Sequence, residues 1–534
     1  MHLKRVKVQN HNRLLDLDLE IRQHMVLIGP NDVGKSSLLR CLDLLLGAST
    51  AQLYNKITID DLRESDQPFV VEADLCDFSE DEGALFPDEI TVDPSGETEQ
   101  TLTIRLEASF DDNGTLSITR TAPNKGTGRQ ISRDQLQSVG WTLLNANDRA
   151  RSLSDDQHSL LDDVFADVEL GDEQATFDDL LVAFECRLQN SNVLAELRSA
   201  MSNQLNMALP ERIAQDDLTF VPGGTVGNNV LNGVRLQVNG KPIGQQSDGK
   251  RAIYAIALYD LISNRANIVA IDEPEIHLHP SSQRSLARLL KNGKNQKIIA
   301  THSPDIVSSF DPELILSVRE GGRVVQPNAG ILDDDQRALL RWWVRNKLEP
   351  LTARRVVAVE GTADRIILER VAELTGHDLD RLGVSVIEAE GAGDMKVVWK
   401  LFGKGGFDVP LSLLIDRDAV DKTSNSIGVQ ECDFGENSIW ISERDLEEEY
   451  VKALDKSLLW EAMQCRDAFS RNELGNVKRS GEDGAPTKDD IAAFLRSKSK
   501  YKTQGAIMVA NLLDEAAASN IKSIVDLLND IESA

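Results

Sequence analysis

The chain has 534 residues, 41% of them apolar and 27% charged, with a formal net charge of -29 at pH 7. A length of this order exceeds what one hydrophobic core serves and predicts about two or three domains. The acidic balance opposes general attraction to phosphate, so a nucleic-acid partner would need a local basic patch or bound metal; a solvated acidic surface accounts for most of the carboxylates. No apolar run reaches the roughly eighteen residues of a membrane span. The opening "MHLKRVKVQNHNRLLDLDLEI" alternates like a strand where a signal peptide would be continuously apolar, and a cytoplasmic protein is expected. Cys41, Cys76, Cys186, Cys432 and Cys465 are scattered without metal-ligand spacing, which predicts neither a disulfide framework nor a structural zinc.

In chain order the first strong signal is "VLIGPNDVGKSSLLRCLDLLLG", residues 26–47. A short apolar strand runs into Gly29-x-x-x-x-Gly34-Lys35-Ser36 and then a helix with apolar residues at 38, 39, 42, 45 and 46. This is a phosphate-binding loop in its required context. Gly29, Asn31, Gly34, Lys35, Ser36 and Ser37 are expected to hold a nucleotide; Lys35 reaches the terminal phosphates and the Ser36 hydroxyl ligates magnesium. "FVVEADLCDF" and "TLTIRLEASFDDNGTLSITRTA" alternate as strands, the second around an Asp-Asn-Gly hairpin turn. Asn147 and Arg149 are weaker candidates for the nucleotide site. Residues 153–215 read as an inserted helical pair with a spaced apolar face, a candidate dimer contact.

"NIVAIDEPEIHLHP", residues 267–280, supplies the acidic strand that a nucleotide site needs. Asp272 can hold magnesium through water, and Glu273 can orient or deprotonate the attacking water. "KIIATHSPDIV" then gives a buried strand ending at Thr301 and His302, whose imidazole could sense the terminal phosphate. His277 and His279 might suggest a metal site with Glu275, but the acidic strand already accounts for the block and a satisfied surface histidine is the simpler role.

These blocks together, with Gly29-Pro30-Asn31, Gly34-Lys35-Ser36, "IDEPEIHLHP" and "THSP", resemble the ABC-type ATPase heads of chromosome-maintenance and DNA-repair proteins. Such heads carry a signature before the acidic strand; "QQSDGKRAIYAIAL", residues 245–258, keeps Ser247 and Gly249 with Asp248 between them. The resemblance implies that Ser247 contacts the nucleotide of an opposite subunit, hence a homodimer or a higher even-numbered homo-oligomer. A solvated loop capping the following helix is the plainer alternative.

After the amphipathic stretch "DDDQRALLRWWVRNKLEP" a second α/β unit begins. The strand Val356 to Val359 delivers Glu360 to its C-terminal end, where open α/β sheets place their sites, and Asp364 sits in the first turn of the next helix. "VSVIEAEGAGD" ends in a glycine-rich turn with Asp394, and "LSLLIDRD" ends in Asp416 and Asp418. If the strands are neighbours, Glu360, Asp364, Asp416 and Asp418 converge at one edge. Buried carboxylates repel one another and lose hydration, which a divalent cation would offset, and one or two such ions serve phosphodiester chemistry.

The order E-G-x-x-D, then D-x-D about fifty residues later, resembles the Toprim domain of topoisomerases, primases and certain nucleases. An ABC-type head joined to a C-terminal Toprim domain is similar to the OLD (overcoming lysogenization defect) family, which includes the nuclease subunit of the Gabija antiphage system; the likeness runs from residue 1 to about 450. It implies metal ligation by Glu360, Asp364, Asp416, Asp418 and a further acidic residue of "WISERDLEEEYV", Glu447, with Glu448 close behind. It also implies a catalytic lysine among Lys498, Lys500 and Lys502, of which Lys502 is chosen as preceding the final helix. These lysines and Arg496 form the clearest basic patch, suited to phosphate, unless they are a merely solvated cluster.

The expected architecture is α/β: an ABC-type P-loop ATPase head over 1–345 with the 153–215 insertion, then a Rossmann-like Toprim domain with a helical extension over 352–534. The expected catalytic set is Glu273, His302, Glu360, Asp416, Asp418 and Lys502. The expected function is a nucleotide-regulated DNA endonuclease or nickase that uses ATP and Mg2+ or Mn2+ in both sites, suited to antiphage defence, with DNA and a helicase-like protein as candidate partners. The alternative is a repair or chromosome-organising ATPase that binds DNA without cutting it. A topoisomerase would need a separate DNA-gate domain, and a primase a zinc or template module; neither is visible.

Overall fold

The computed structural model describes residues 1–91, 100–111, 113–124, 129–144, 186–208, 213–222, 234–242, 246–247, 249–251, 267–333, 348–389, 395–465, 469–481 and 484–533, with the single positions 183, 253, 254 and 257. Asn147, Arg149, the first half of the 153–215 insertion, Asp248, residues 334–347 and the turn with Asp394 lie outside them. The chain forms two compact units, one over residues 1–326 and a second from 348 onward that also takes in residues 327–333. Among the described residues no helix is long and apolar enough to cross a membrane.

In the first unit an antiparallel sheet runs in the order Leu17–Glu20, His2–Gln9, Phe69–Cys76, Leu102–Phe110, Leu116–Thr121. Strand His2–Gln9 buries Leu3, Val6 and Val8, a register shift between Leu3 and Arg5 interrupting the period of two, while Arg5 pairs with Asp18. The hairpin expected at Asp-Asn-Gly joins the last two strands.

A second sheet has the order Val324–Val325, Ile315–Val318, Met25–Ile28, Gln296–Ala300, Ile268–Asp272, Trp141–Leu144, parallel except at the first pair. Met25–Ile28 and Gln296–Ala300 are buried throughout, as expected of parallel strands covered on both faces. Parallel pairing puts the C-terminal ends of Met25–Ile28, Ile268–Asp272 and Gln296–Ala300 on one edge, so the phosphate loop, the acidic pair and His302 meet there.

Helix Lys35–Leu46 buries Leu38, Leu39, Leu42, Leu45 and Leu46 against this core. Its last carbonyls are capped from a distant strand: Arg120 Nη2 donates to the carbonyls of Leu44 (3.2 Å) and Ala48 (2.7 Å). Burial pushes the Arg120 guanidinium down to about 10, the direction expected of a charge desolvated chiefly against carbonyl dipoles. Of the expected helical insertion, helix Asn192–Ala208 is described, followed by a small antiparallel sheet of Leu218–Pro222, Val234–Val238 and Lys241–Pro242.

The second unit is a four-stranded parallel sheet, Val384–Glu388, Arg355–Val359, Leu411–Ile415, Ile439–Ile441. Arg355–Val359 and Leu411–Ile415 are neighbours, as the convergence of Glu360 with Asp416 requires. Helix Thr362–Leu374 packs against helices Ser499–Ala510 and Lys522–Ser533. The C-terminal helices thus belong to the core of this unit, with Ile491, Leu495, Ala506, Val509, Ile524 and Leu528 fully buried beside Ile367 and Val371. Gly505 permits the approach of helix Lys488–Arg496, since a Cβ there would lie 2.7 Å from Leu495 Cδ2. Lys502 precedes the final helix, as expected, but lies inside a helix of its own, Ser499–Ala510, with helices Glu515–Ala518 and Lys522–Ser533 after it. The helix begins at Ser499, and burial of Tyr501 on its inner face holds it in place.

Candidate active sites

The first candidate site is a cavity of about 300 Å³ lined by Arg13, Asn31, Asp32, Gly34, Lys35, Ser36, Ser37, Glu273 and His302. Gly29 and Gly34 make its floor possible: a Cβ on Gly29 would lie 2.2 Å from the Val318 carbonyl oxygen, and Gly34 adopts a φ of +115°, where a Cβ would lie 2.7 Å from Leu14 Cδ2. Lys35 is only 6% exposed, and its Nζ donates to the carbonyls of Gly29 (3.0 Å) and Pro30 (2.6 Å). Burial lowers its pKa, outweighing the raising effect of Glu273, Asp272, Glu275 and Asp32. An ammonium held by neutral carbonyls at the floor of such a loop is arranged to receive an anion.

Glu273 takes a left-handed backbone, φ +47°, and its Oε1 lies 3.8 Å from His302 Nε2. Burial and the Lys35 charge lower the His302 pKa, which favours the neutral imidazole. The third carboxylate, Glu275, accepts the His302 N–H (2.6 Å) and the Thr301 hydroxyl (2.8 Å), fastening the two strand ends together. His279 caps helix Pro280–Asn292 by accepting the Ser281 N–H. The Ser247 carbonyl accepts the Arg251 N–H (2.9 Å), and a Cβ on Gly249 would meet the His277 carbonyl oxygen at 2.4 Å. The signature backbone therefore packs on the turn that follows the acidic strand. Arg13 was not foreseen; no spacing rule links it to the phosphate loop. Its N–H donates to Nδ1 of buried His11 (3.0 Å), whose pKa burial pushes down to about 4, so that the ring stays a neutral acceptor.

The second candidate site lies at the C-terminal ends of Arg355–Val359 and Leu411–Ile415. Glu360 Oε1 accepts the Asp416 N–H (3.0 Å), Asp364 accepts the Gly361 N–H (3.0 Å), and Asp416 Oδ1 accepts the Leu446 N–H (3.1 Å). Glu447 is 1% exposed, with Lys502 Nζ in ion-pair range of its Oε1 at 3.2 Å, while neither of its oxygens has a hydrogen-bond partner of good geometry among the described residues. Burial, then Glu447, pushes Asp364 up to about 7; burial, then Asp364, Glu360 and Glu447, pushes Asp416 up to about 8. Burial also raises Glu360, with exposed Asp418 adding to the effect. Burial pulls Lys502 down, but Glu447, Asp416 and Asp364 outweigh it and hold the lysine above its usual value.

The paired alternatives separate by position. Glu448 faces Lys452 (2.9 Å), Arg444 and Arg496, which lower its pKa. Lys500 pairs with Glu473 (3.2 Å), Lys498 lies over the Tyr501 ring, and Arg496 is held by Asp445 (3.1 Å). Only Lys502 of the three lysines stands among the buried carboxylates.

Among the described residues no three ligating side chains are already close enough together to hold a metal ion. The chemistry of the cluster still fits one. Glu360, Asp364, Asp416 and Glu447 share one ammonium, two of the carboxyls are driven toward the neutral form, and a buried carboxylate oxygen lacks a donor. Hard oxygen donors in excess of nearby positive charge suit Mg2+ or Mn2+.

Two family models match the chain. Residues 25–308 match "AAA domain, putative AbiEii toxin, Type IV TA system", and residues 351–418 match "Overcoming lysogenization defect protein-like, TOPRIM domain". The chain is 25% identical over 455 residues to an OLD nuclease of Thermus scotoductus, covering 78% of this chain and 82% of that protein. It is 25% identical over 152 residues to Endonuclease GajA of Bacillus cereus, covering 27% of this chain and 26% of that protein, so the second match spans about a quarter of its relative. Among solved structures an SMC head bound to the C-winged helix domain of ScpA aligns over 62% of this chain and 98% of that one, at 16% identity and a TM-score of 0.40.

Proposed function

Because this chain belongs to the OLD family, as a homologue of OLD nuclease with an AAA/ABC-type ATPase domain and an OLD-like Toprim domain, we propose that it is a nucleotide-regulated, divalent-metal-dependent DNA endonuclease or nickase. One observation carries this reading: four carboxylates from three segments, Glu360 with Asp364, Asp416, and Glu447, gather with Lys502 at adjacent ends of a parallel sheet.

A Mg2+ or Mn2+ ion held by Glu360, Asp364, Asp416, Asp418 and Glu447 would supply Lewis-acid stabilisation of the phosphate and a more acidic bound water. The chain's own groups do the rest. Lys502 places a positive charge where a phosphodiester would develop negative charge, and its raised pKa keeps it protonated at neutral pH. Backbone amides from Gly361, Asp416 and Leu446 fix three of the carboxylates in orientation. The exposed Asp418 completes the set from the solvent side.

In the ATPase unit, Gly29, Asn31, Gly34, Lys35, Ser36 and Ser37 bind the phosphates of ATP, and Ser36 and Asp272 hold its magnesium. Glu273 orients the attacking water and His302 reads the terminal phosphate. Ser247 completes a nucleotide site on a second copy of the chain, which makes the working species a homodimer or a higher even-numbered assembly. Occupancy of that site governs cutting, a restraint suited to antiphage defence, and a helicase-like partner could present the DNA.

The test is cleavage of supercoiled and linear plasmid with Mg2+ or Mn2+, with and without ATP, beside Asp416→Ala. Metal-dependent cutting that disappears in Asp416→Ala is the expected result. Equal inertness of both proteins with ATP hydrolysis intact would instead favour a DNA-binding ATPase.

A further inference from the structure

Beside the carboxylate cluster stands a buried group that the proposed chemistry leaves unused. Tyr450 is fully buried, and its hydroxyl has no hydrogen-bond partner among the described residues. A phenol O–H removed from water without an acceptor is unusual, because tyrosines bury their rings and ordinarily keep the hydroxyl paired. The charges that act on it are those of the site. After burial itself, Glu447, Asp364, Asp445 and Asp416 all hold its proton on.

Glu447 lies three residues earlier on helix Leu446–Ala453, the spacing that puts two side chains on one helix face. It has the complementary defect: both its buried oxygens lack a well-aligned hydrogen-bond donor, Oε1 facing Lys502 at 3.2 Å only as an ion pair. An unpaired donor and an unpaired acceptor, both buried one helical turn apart, are a mismatch that a rotation of the carboxylate toward the phenol would remove. A cation competing with Lys502 for Glu447 supplies a reason for that rotation.

We propose that Tyr450 is a positioning residue for the Toprim site: its hydroxyl donates to the Glu447 carboxylate when Glu447 turns to ligate a divalent cation. The inference rests on the metal-site reading above. The phenol thereby fixes the orientation of the carboxylate and holds it in the ligating pose. Hydrogen-bond partners of this outer kind typically change metal affinity by about 10- to 100-fold. Tyr450→Phe keeps the ring and its packing and removes only the oxygen.

The test is a Mn2+ titration without nucleotide, read by calorimetry and by the melting temperature, on wild type, Tyr450→Phe, Glu447→Gln and the double variant. The expected result has three parts. Tyr450→Phe without metal melts no lower than wild type, because no existing hydrogen bond is lost. Its Mn2+ affinity falls by about tenfold. In the Glu447→Gln background the same change costs little further affinity, because the residue through which Tyr450 acts is already altered.

Equal Mn2+ affinity of Tyr450→Phe and wild type would overturn the proposal while leaving the metal site standing. So would a full additive loss in the Glu447→Gln background, or a markedly lower melting temperature without metal, which would reveal an existing partner for the hydroxyl. Absence of Mn2+ binding by wild type would overturn both this proposal and the metal-site reading on which it rests.

Discussion

The two candidate sites set a lysine among acids in opposite ways. Lys35 is held by two backbone carbonyls and its pKa is lowered; Lys502 stands against Glu447 and its pKa is raised. In the first site the pull of four carboxylates does not offset the burial of one ammonium. In the second, one ammonium is too little for the carboxylates, two of which are driven up to about 7 and 8. Residue types alone would call both sites acidic clusters with a lysine. The balance of desolvation against charge distinguishes them: the first is arranged to favour an anion and the second a cation.

The strongest way to break this comparison is Asp416→Ala. Removing a carboxylate central to the cluster should lower plasmid cleavage on the order of 10³-fold or more, as loss of several kcal/mol of metal-supported stabilisation requires. ATP hydrolysis by the first unit should persist, and a variant that cuts DNA at the wild-type rate would sink the cation-site assignment.

Lys35→Ala should act in the opposite unit. Binding of a fluorescent ATP analogue should weaken by about 100-fold, in line with the loss of a charge-assisted phosphate contact, and hydrolysis should fall with it. Mn2+ binding without nucleotide should remain unchanged; if it falls as well, the two sites are not the separate receptors described here.

Titration sharpens the contrast further. Asp364 and Asp416 have folded pKa values raised to about 7 and about 8 from 3.8, so the folded state binds their protons more tightly than the unfolded chain. Their contribution to stability is full below about pH 4 and is lost as pH rises through about 8. The metal-free protein should therefore lose on the order of a few kcal/mol across this window from these two groups, and saturating Mn2+ should flatten the loss. Melting curves from pH 5 to 8.5 with EDTA or Mn2+ measure it; identical slopes in both would refute the coupling.

The smallest effect belongs to Glu448. Its partners Lys452 and Arg444 are largely exposed, so Glu448→Ala should change stability by no more than about 1 kcal/mol and leave cleavage near wild type. Glu447→Ala, one residue earlier, should weaken Mn2+ binding at the cluster by about tenfold or more. Reversal of the two phenotypes in a cleavage assay would exchange their assignments.

What the sequence determined is local. A glycine-rich loop between an apolar strand and an amphipathic helix has few other uses. Buried strands closing on Asp272, Glu360 and Asp416 place those acids at sheet edges whatever surrounds them, because parallel strands run apolar until they surface. The order of the two α/β units followed from the same signals.

The choice between Glu447 and Glu448 was not legible, since neighbouring residues of one helix differ only in which face the core accepts. Nor was the choice of Lys502, whose approach to Asp364 depends on helix Ser499–Ala510 packing on helix Thr362–Leu374 across more than a hundred residues of chain. Arg13 and Tyr450 were invisible for the same reason. Their surroundings are set by long-range packing, and only the folded chain decides which charges lose water together.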